Sequence, residues 1–96
     1  MTEVRWTVQA ADDLQAVYDF IARDSPHYAQ AIIEDILAAI DRLKQFPLIG
    51  RRVPESPREH LRELIKPPYR IVYRVEEVIV ILTIFRASRL FPSGLE

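Results

Sequence analysis

The sequence predicts an α+β domain in which a helical hairpin packs on one face of a small, mainly antiparallel sheet. Two observations lead to this prediction. Apolar residues recur at helical spacing through the first half of the chain, and they alternate at strand spacing through the second half. The predicted element order is β-α-α-β-β-β, and residues 1–96 are expected to form one domain.

The N-terminal stretch predicts a short strand followed by a helix. In EVRWTV, Val4, Trp6 and Val8 alternate with polar residues, which is typical of a strand. Thr7 can then cap a first helix, because its hydroxyl can accept a hydrogen bond from a free backbone N–H. This helix is predicted from about Val8 to Arg23, where its single apolar stripe ends.

A second, longer helix is predicted to follow after a short link. Ser25 is a favourable N-cap, and Pro26 suits the first helical position, where a missing N–H costs nothing. The helical pattern continues to QFP, where Pro47 ends it. Because the link is so short, the two helices are expected to form an antiparallel hairpin.

The C-terminal half predicts one long loop, FPLIGRRVPESPRE, and three strands in HLRELIK, YRIVYRV and VIVILTIF. The last run is apolar throughout, which predicts a central strand covered on both faces. In YRIVYRV, alternation places Tyr69, Ile71 and Tyr73 on the face beneath the helices. Arg70 and Arg74 fall on the opposite face, which is predicted to be open.

Charge and composition exclude several classes of function. Residues 1–50 carry eight acidic and four basic residues, whereas residues 51–74 carry three acidic and seven basic ones. The basic surface is therefore local, unlike the general excess of a nucleic-acid binder. With no cysteine and two separated histidines, His27 and His60, the sequence predicts no metal site and no cofactor. A cytoplasmic protein without membrane contact is expected, because neither a signal peptide nor a membrane-spanning run is visible.

Five stretches together resemble the ParE/RelE toxin superfamily of bacterial type II toxin–antitoxin systems, nearer its ParE branch. They are RWTVQAADDLQAVYDFIA (5–22), AIDRLKQFPLIGRRVPE (39–55), REL (62–64), YRIVYRV (69–75) and VILTIFRASR (80–89). The resemblance covers nearly the whole chain in order. It implies the same β-α-α-β-β-β architecture and a toxin that inhibits growth until a cognate antitoxin binds it. ParE-like members poison DNA gyrase, whereas RelE-like members cut mRNA in the ribosomal A site.

For a RelE-like nuclease the resemblance points to Glu55, Arg70 and Arg86. Arg70 stands where nuclease members carry a phosphate-stabilising arginine, and Glu55 stands near the position of a carboxylate base. Arg86 occupies a position where a histidine is common, and arginine cannot exchange a proton near neutral pH. The catalytic set is thus incomplete. We expect a non-enzymatic gyrase inhibitor, with a ribosome-dependent mRNA endonuclease and an inactive interaction module as alternatives.

The resemblance also suggests contact residues. For the target these are Arg70, Arg74, Arg86, Arg89, Leu90 and Phe91. The antitoxin is expected to lay an amphipathic helix in the groove between the helical hairpin and the sheet, with acidic side chains facing Arg51, Arg52, Arg70 and Arg74 in a hetero-oligomer. Without the resemblance, Arg70 and Arg74 would be solvated charges. Glu55 would then be a loop carboxylate paired with Arg51 or Arg58.

Overall fold

The computed structural model describes residues 1–58 and 60–95. Within these residues the chain forms strands and helices in the order predicted, with one additional short strand. They are β1 (Val4–Trp6), α1 (Val8–Ala22), α2 (Pro26–Asp41), β2 (Arg51–Arg52), β3 (Leu61–Lys66), β4 (Tyr69–Val75) and β5 (Ile79–Arg86). A 3-10 turn, Arg42–Lys44, follows α2. The predicted α+β class is confirmed.

Both helices begin at the predicted caps. The Thr7 hydroxyl accepts a hydrogen bond from the Ala10 N–H at 3.0 Å, and the Ser25 hydroxyl accepts one from the Tyr28 N–H at 3.1 Å. Pro26 occupies the start of α2, where no intrahelical acceptor is available for an N–H. Within the described residues, no helix is both long and apolar enough to cross a membrane.

The sheet has the strand order β1-β5-β4-β3-β2. β1 pairs with β5 in parallel, and the remaining neighbours are antiparallel. The prediction that VIVILTIF is the central strand is wrong, because β4 lies at the centre and β5 lies second from one edge. β2 falls within the predicted long loop, where two residues are too few to show alternation.

A β-bulge interrupts the pairing of β4 with β5. Val72 lies opposite Thr83 and Tyr73 lies opposite Ile81, so Leu82 is an extra residue in β5. A bulge shifts the side-chain alternation by one residue. As a result, β5 directs Ile81 and then Ile84 toward the helices, a step of three where strict alternation predicts two.

The sheet is covered on both faces by separate apolar clusters. The helix-side cluster includes Tyr69, Ile71 and Tyr73, as predicted. The face away from the helices, here called the second face, carries a smaller buried cluster of Val53, Leu61, Val72, Leu82 and Phe85, with Val80, Phe91 and Leu95 packed against it. The prediction that the second face is open is therefore wrong, because residues of the long loop and of the C-terminal segment fold over it.

Candidate functional site

Arg70 lies on the second face but is buried, with only 6% of its surface exposed. Its Nε donates to Glu63 at 2.6 Å, and its two terminal nitrogens donate to the two oxygens of Glu55 at 2.8 and 2.7 Å. The contact with Glu55 is bidentate, which is the geometry in which a guanidinium and a carboxylate match best. Each of the three guanidinium nitrogens thus donates a hydrogen bond to a carboxylate.

Glu63 is the buried centre of this arrangement. Its side chain is fully buried, and its second oxygen accepts a hydrogen bond from Arg51 Nε at 2.6 Å. The sheet register explains the contacts, because Arg51 lies directly opposite Glu63 and Arg70 is a diagonal neighbour of Glu63 across β3 and β4. Arg51, Glu63, Arg70 and Glu55 therefore form a chain of alternating charges, called the Arg70 network below.

Two aromatic rings lie close to the Arg70 guanidinium. Its carbon lies 5.2 Å from the Phe85 ring centroid and 5.4 Å from that of Phe91. Phe85 is opposite Arg70 in the sheet, whereas Phe91 comes from the C-terminal segment. The rings also meet each other edge to face, with centroids 6.0 Å apart. Cation–π attraction at a desolvated site thus ties the C-terminal segment to β4.

The network changes the acid–base behaviour of its members. The hydrogen bonds from Arg70 hold the pKa of the Glu55 carboxyl below its ordinary value. The same contacts raise the pKa of Arg70, although burial opposes this. Glu55 therefore stays ionised and is a weak proton acceptor, and Arg70 stays cationic.

Acid should weaken the fold through Glu55. Because its pKa is lowered on folding, the Glu55–Arg70 pair stabilises the protein above the ordinary carboxyl value of 4.5, and this contribution is lost as pH falls further. We expect the thermal unfolding midpoint of the wild type to fall more steeply than that of Glu55→Gln between about pH 5 and pH 3. Parallel pH profiles of the two proteins would contradict this assignment.

The C-terminal turn, defined as residues 87–91, leaves the end of β5 and projects from the fold. The Ala87 N–H donates to the Pro68 carbonyl at 2.8 Å, and the Arg89 N–H donates to the Arg86 carbonyl at 3.0 Å. Beyond these bonds the Leu90 side chain is 94% exposed, while Phe91 folds back toward Arg70. The turn is thus fixed at both ends and exposed between them.

A cavity of about 840 Å³ opens between this turn and the second face. Among the described residues, its lining includes apolar Leu82 and Phe85, the cations of Arg74 and Arg89, and the single carboxylate of Asp13. Arg74 Nε approaches the Glu76 carboxylate to 3.2 Å as an ion pair but is not aligned for a hydrogen bond. This surface could receive a partner segment that carries both apolar and acidic side chains.

The predicted target-contact residues differ in exposure. Arg74 is half-buried and forms an ion pair with Glu76. Arg86, Arg89 and Leu90 are exposed, as a contact role requires. Arg70 and Phe91 are turned inward and contact each other, which corrects the prediction that Arg70 lies on an open face. The local pairing predicted for Glu55 is wrong in its partner, because the carboxylate binds Arg70 across the second face.

The three residues suggested for a nuclease do not form one site. Glu55 and Arg70 are in contact, but their hydrogen bonds satisfy each other. The guanidinium carbon of Arg86 lies 5.8 Å from the ring centroid of Tyr69, which belongs to the helix-side cluster. Arg86 is thus associated with the opposite side of the sheet.

Two of the four residues proposed to meet an antitoxin lie on the edge strand β2, and the other two, Arg70 and Arg74, lie on the central strand β4. Arg51 and Arg52 are exposed on β2, and Arg52 donates to the Pro57 carbonyl at 3.3 Å. A groove between α2 and β3 lies near this edge, lined by Asp35, Ala38, Ala39, Arg42, Ile49, Leu64, Ile65 and Lys66. Its apolar floor and charged rim suit an amphipathic helix.

Sequence patterns missed two carboxylates that organise the sheet. Glu63 resembles any polar residue of an alternating strand, and only its burial reveals its role. Asp13 of α1 accepts hydrogen bonds from the Thr83 hydroxyl at 2.6 Å and from the Ile84 N–H at 3.0 Å. It occupies the edge of β5 beyond the end of β1, where a strand partner is missing among the described residues. No group of potential metal ligands occurs in the part of the chain that the structure describes.

Comparisons with known proteins agree with this architecture. The model of a family described as the ParE toxin of type II toxin–antitoxin systems, parDE, matches residues 4–91. Toxin RelE2 of Caulobacter vibrioides is 39% identical over 92 residues, covering 94% of this chain and 100% of the relative.

Solved structures show the same arrangement of elements. A chain of the chromosomal ParDE toxin–antitoxin system from P. aeruginosa superposes with a TM-score of 0.74 at 32% identity, covering 90% of this chain and 96% of that chain. A chain of the toxin–antitoxin complex RelBE2 from Mycobacterium tuberculosis superposes with a TM-score of 0.58 at 24% identity, covering 92% and 93%, respectively. The second similarity supports the fold alone.

Proposed function

The chain belongs to the ParE toxin family of type II toxin–antitoxin systems, and we propose that it inhibits growth by poisoning DNA gyrase. The observation that supports this target over RNA is the closed Arg70 network. Arg70 is the residue best suited to stabilise a phosphate, and its nitrogens are already bound by Glu55 and Glu63. A gyrase poison needs contact surface and no proton transfer of its own.

Cleavage of RNA by its 2′-hydroxyl would require a base, a cation free to reach the phosphate and an acid for the leaving oxygen. Glu55 is a poor base because Arg70 lowers its pKa. Arg86 cannot act as an acid near neutral pH, and its guanidinium contacts a ring of the helix-side cluster. These side chains support binding better than catalysis.

The surface that remains for a target combines cations with apolar side chains. Arg74, Arg89 and Leu90 border the cavity on the second face. Arg86, at the end of β5, directly precedes the C-terminal turn. We assign target contact to this region and to the C-terminal turn. The toxin would bind gyrase in the cytoplasm.

A cognate antitoxin is the second partner in this proposal. Its amphipathic helix would lie in the groove between α2 and β3, with apolar side chains on Ile49, Leu64 and Ile65. Acidic side chains would meet Arg51 and Arg52, and Arg74 would be reached from the second face. Arg70 is not included among the proposed antitoxin contacts, because it is buried.

Supercoiling by purified gyrase tests the proposed target. The toxin, added to gyrase, relaxed plasmid and ATP without ribosomes, is expected to abolish supercoiling at micromolar concentration and to trap cleaved plasmid. Addition of the antitoxin beforehand should restore supercoiling. Unimpaired supercoiling, together with codon-positioned cuts in translated mRNA that vanish in Arg70→Ala, would instead identify a ribosome-dependent nuclease.

A further inference from the structure

Leu90 is displayed by a turn that is fixed on both sides. Among the large apolar side chains of the described residues, only Met1 at the chain start is as exposed as Leu90, at 94%. Single exposed apolar residues are common on protein surfaces, so exposure alone indicates nothing. What distinguishes Leu90 is the attachment of the residues around it.

The attachment before Leu90 is made by the backbone. Hydrogen bonds from Ala87 to Pro68 and from Arg89 to Arg86 close the turn immediately after β5. These bonds set the direction in which the chain leaves the sheet. Arg89 remains exposed on the turn and places a cation next to Leu90.

The attachment after Leu90 is made by Phe91. Its ring lies against the Arg70 guanidinium and meets Phe85 edge to face. Arg70 cannot turn away from Phe91 easily, because Glu63 and Glu55 hold its nitrogens from the other directions. The position of the turn therefore depends on a buried, hydrogen-bonded cation, which is costly to bury without such partners.

We propose that Leu90 and Arg89 form the tip that contacts the target, and that Arg70 and Phe91 are positioning residues that hold this tip in place. This inference rests on the proposed function for the identity of the target. A tip ordered before binding loses less entropy when it binds, so the anchor contributes to affinity without touching the partner. The surface that fits the tip is an apolar pocket with an acidic rim.

The inference separates two kinds of variant. Leu90→Asp alters the tip and leaves the anchor intact, whereas Phe91→Ala removes the anchor and leaves the tip chemically unchanged. Arg70→Lys keeps the charge but loses the planar fork that binds Glu55 with two hydrogen bonds. Phe91→Tyr keeps an aromatic ring and is the conservative rescue. Leu48→Asp, at another exposed leucine in the loop after α2, is the matched control.

Three measurements on the full-length chain test these roles. They are the toxin concentration that halves gyrase supercoiling, the affinity for the antitoxin, and the backbone ¹⁵N order parameter of Leu90. We expect Leu90→Asp to raise the half-inhibitory concentration at least tenfold, with wild-type affinity for the antitoxin and an unchanged order parameter. Leu48→Asp should leave the half-inhibitory concentration within about twofold of the wild type.

Phe91→Ala and Arg70→Lys should raise the half-inhibitory concentration about tenfold and also lower the order parameter of Leu90. Phe91→Tyr should restore both quantities. A Phe91→Ala variant with a mobile turn and wild-type inhibition would overturn the positioning role. Wild-type inhibition by Leu90→Asp would overturn the contact role.

Growth arrest on induction distinguishes failure of this inference from failure of the gyrase proposal. If the wild type arrests growth without inhibiting gyrase, the target proposal fails. The role of the tip is then tested by counting the colonies that survive induction. Cells that express Leu90→Asp should give at least ten times as many colonies as cells that express the wild type. Arrest retained by Leu90→Asp would overturn the tip in either case. A wild type that neither arrests growth nor inhibits gyrase would overturn both proposals.

Discussion

Gly50→Ala is expected to destabilise the fold by about 3 kcal/mol or more. A Cβ at this position would lie 2.5 Å from the Tyr73 hydroxyl oxygen and 2.6 Å from the Glu63 carbonyl oxygen. The backbone oxygen belongs to the middle of β3 and cannot move without disturbing the sheet. For a domain of this size, the loss corresponds to a fall in Tm of roughly 10–20 °C, measurable by thermal denaturation.

The close approach of Gly50 to Tyr73 allows the Tyr73 hydroxyl to bind the loop before β2. The Tyr73 hydroxyl accepts a hydrogen bond from the Gly50 N–H at 2.9 Å and donates to the Pro47 carbonyl at 2.9 Å. Burial raises the pKa of this hydroxyl, so it remains a donor at neutral pH. Through these two bonds Tyr73 fixes the loop that leads into Arg51 and the Arg70 network.

Two control variants separate the steric effect from a general glycine effect. Gly94→Ala has no atom within 4 Å of the new Cβ, and its φ of +79° predicts only the usual backbone strain, about 1 kcal/mol. In a Tyr73→Phe background the cost of Gly50→Ala should shrink, because one of the two close oxygens is gone. A free energy of unfolding for Gly50→Ala within about 0.5 kcal/mol of wild type would show that the loop can move freely away from Tyr73.

The sequence was sufficient to predict where both helices begin and which faces of β4 its residues occupy. The predicted end of the second helix at Pro47 is wrong, because α2 ends at Asp41 and a 3-10 turn follows. Caps at Thr7 and Ser25 and the helical spacing of apolar residues are local signals, and α1 begins at Val8 as expected. Alternation likewise placed Tyr73 and Arg70 on opposite faces. These predictions succeeded because each depends on residues a few positions apart.

The cover of the second face could not be predicted in the same way. Val53, Phe91 and Leu95 are isolated apolar residues in irregular segments, where no periodicity marks them as buried. Their partners lie far away in sequence, and a bulge at Leu82 changes the register that would connect them. Arg70 was therefore predicted to be an exposed cation, whereas it is a buried member of the Arg70 network.

The role assigned to Arg70 changed once its burial was known. As an exposed cation it would contact a target directly, and a phosphate would be its natural ligand. Buried between two carboxylates and two rings, it organises the surface that other residues present. We therefore assign direct contact with the target to side chains such as Arg89 and Leu90, which were also among the contact residues predicted from the sequence.

Arg70→Met is expected to lower the free energy of unfolding by about 3–5 kcal/mol, because it leaves the fully buried Glu63 with a single partner. That partner, Arg51, is more than half exposed and is therefore screened by solvent. Denaturation by urea would measure the loss. A variant within about 1 kcal/mol of wild type would contradict the importance of the buried pair.

The double variant Glu63→Met, Arg70→Met tests whether the ion pair contributes net stability to the fold, or whether each charge is needed only because the other one is buried. Replacing both partners of a buried ion pair by apolar side chains is often nearly neutral, so the double variant should be more stable than Arg70→Met alone. A double-mutant cycle is expected to give a coupling energy of about 2–3 kcal/mol. Additive losses would instead show that each residue stabilises the fold independently.

The same double variant separates stability from activity. The methionine side chain that replaces Arg70 could still fill space against Phe85 and Phe91, but it would lack the cation that attracts both rings. We therefore expect a folded protein that binds its antitoxin and inhibits its target poorly. If folding and inhibition both recovered, hydrophobic packing alone would be enough to hold the C-terminal turn, and the charge of Arg70 would have no part in positioning it.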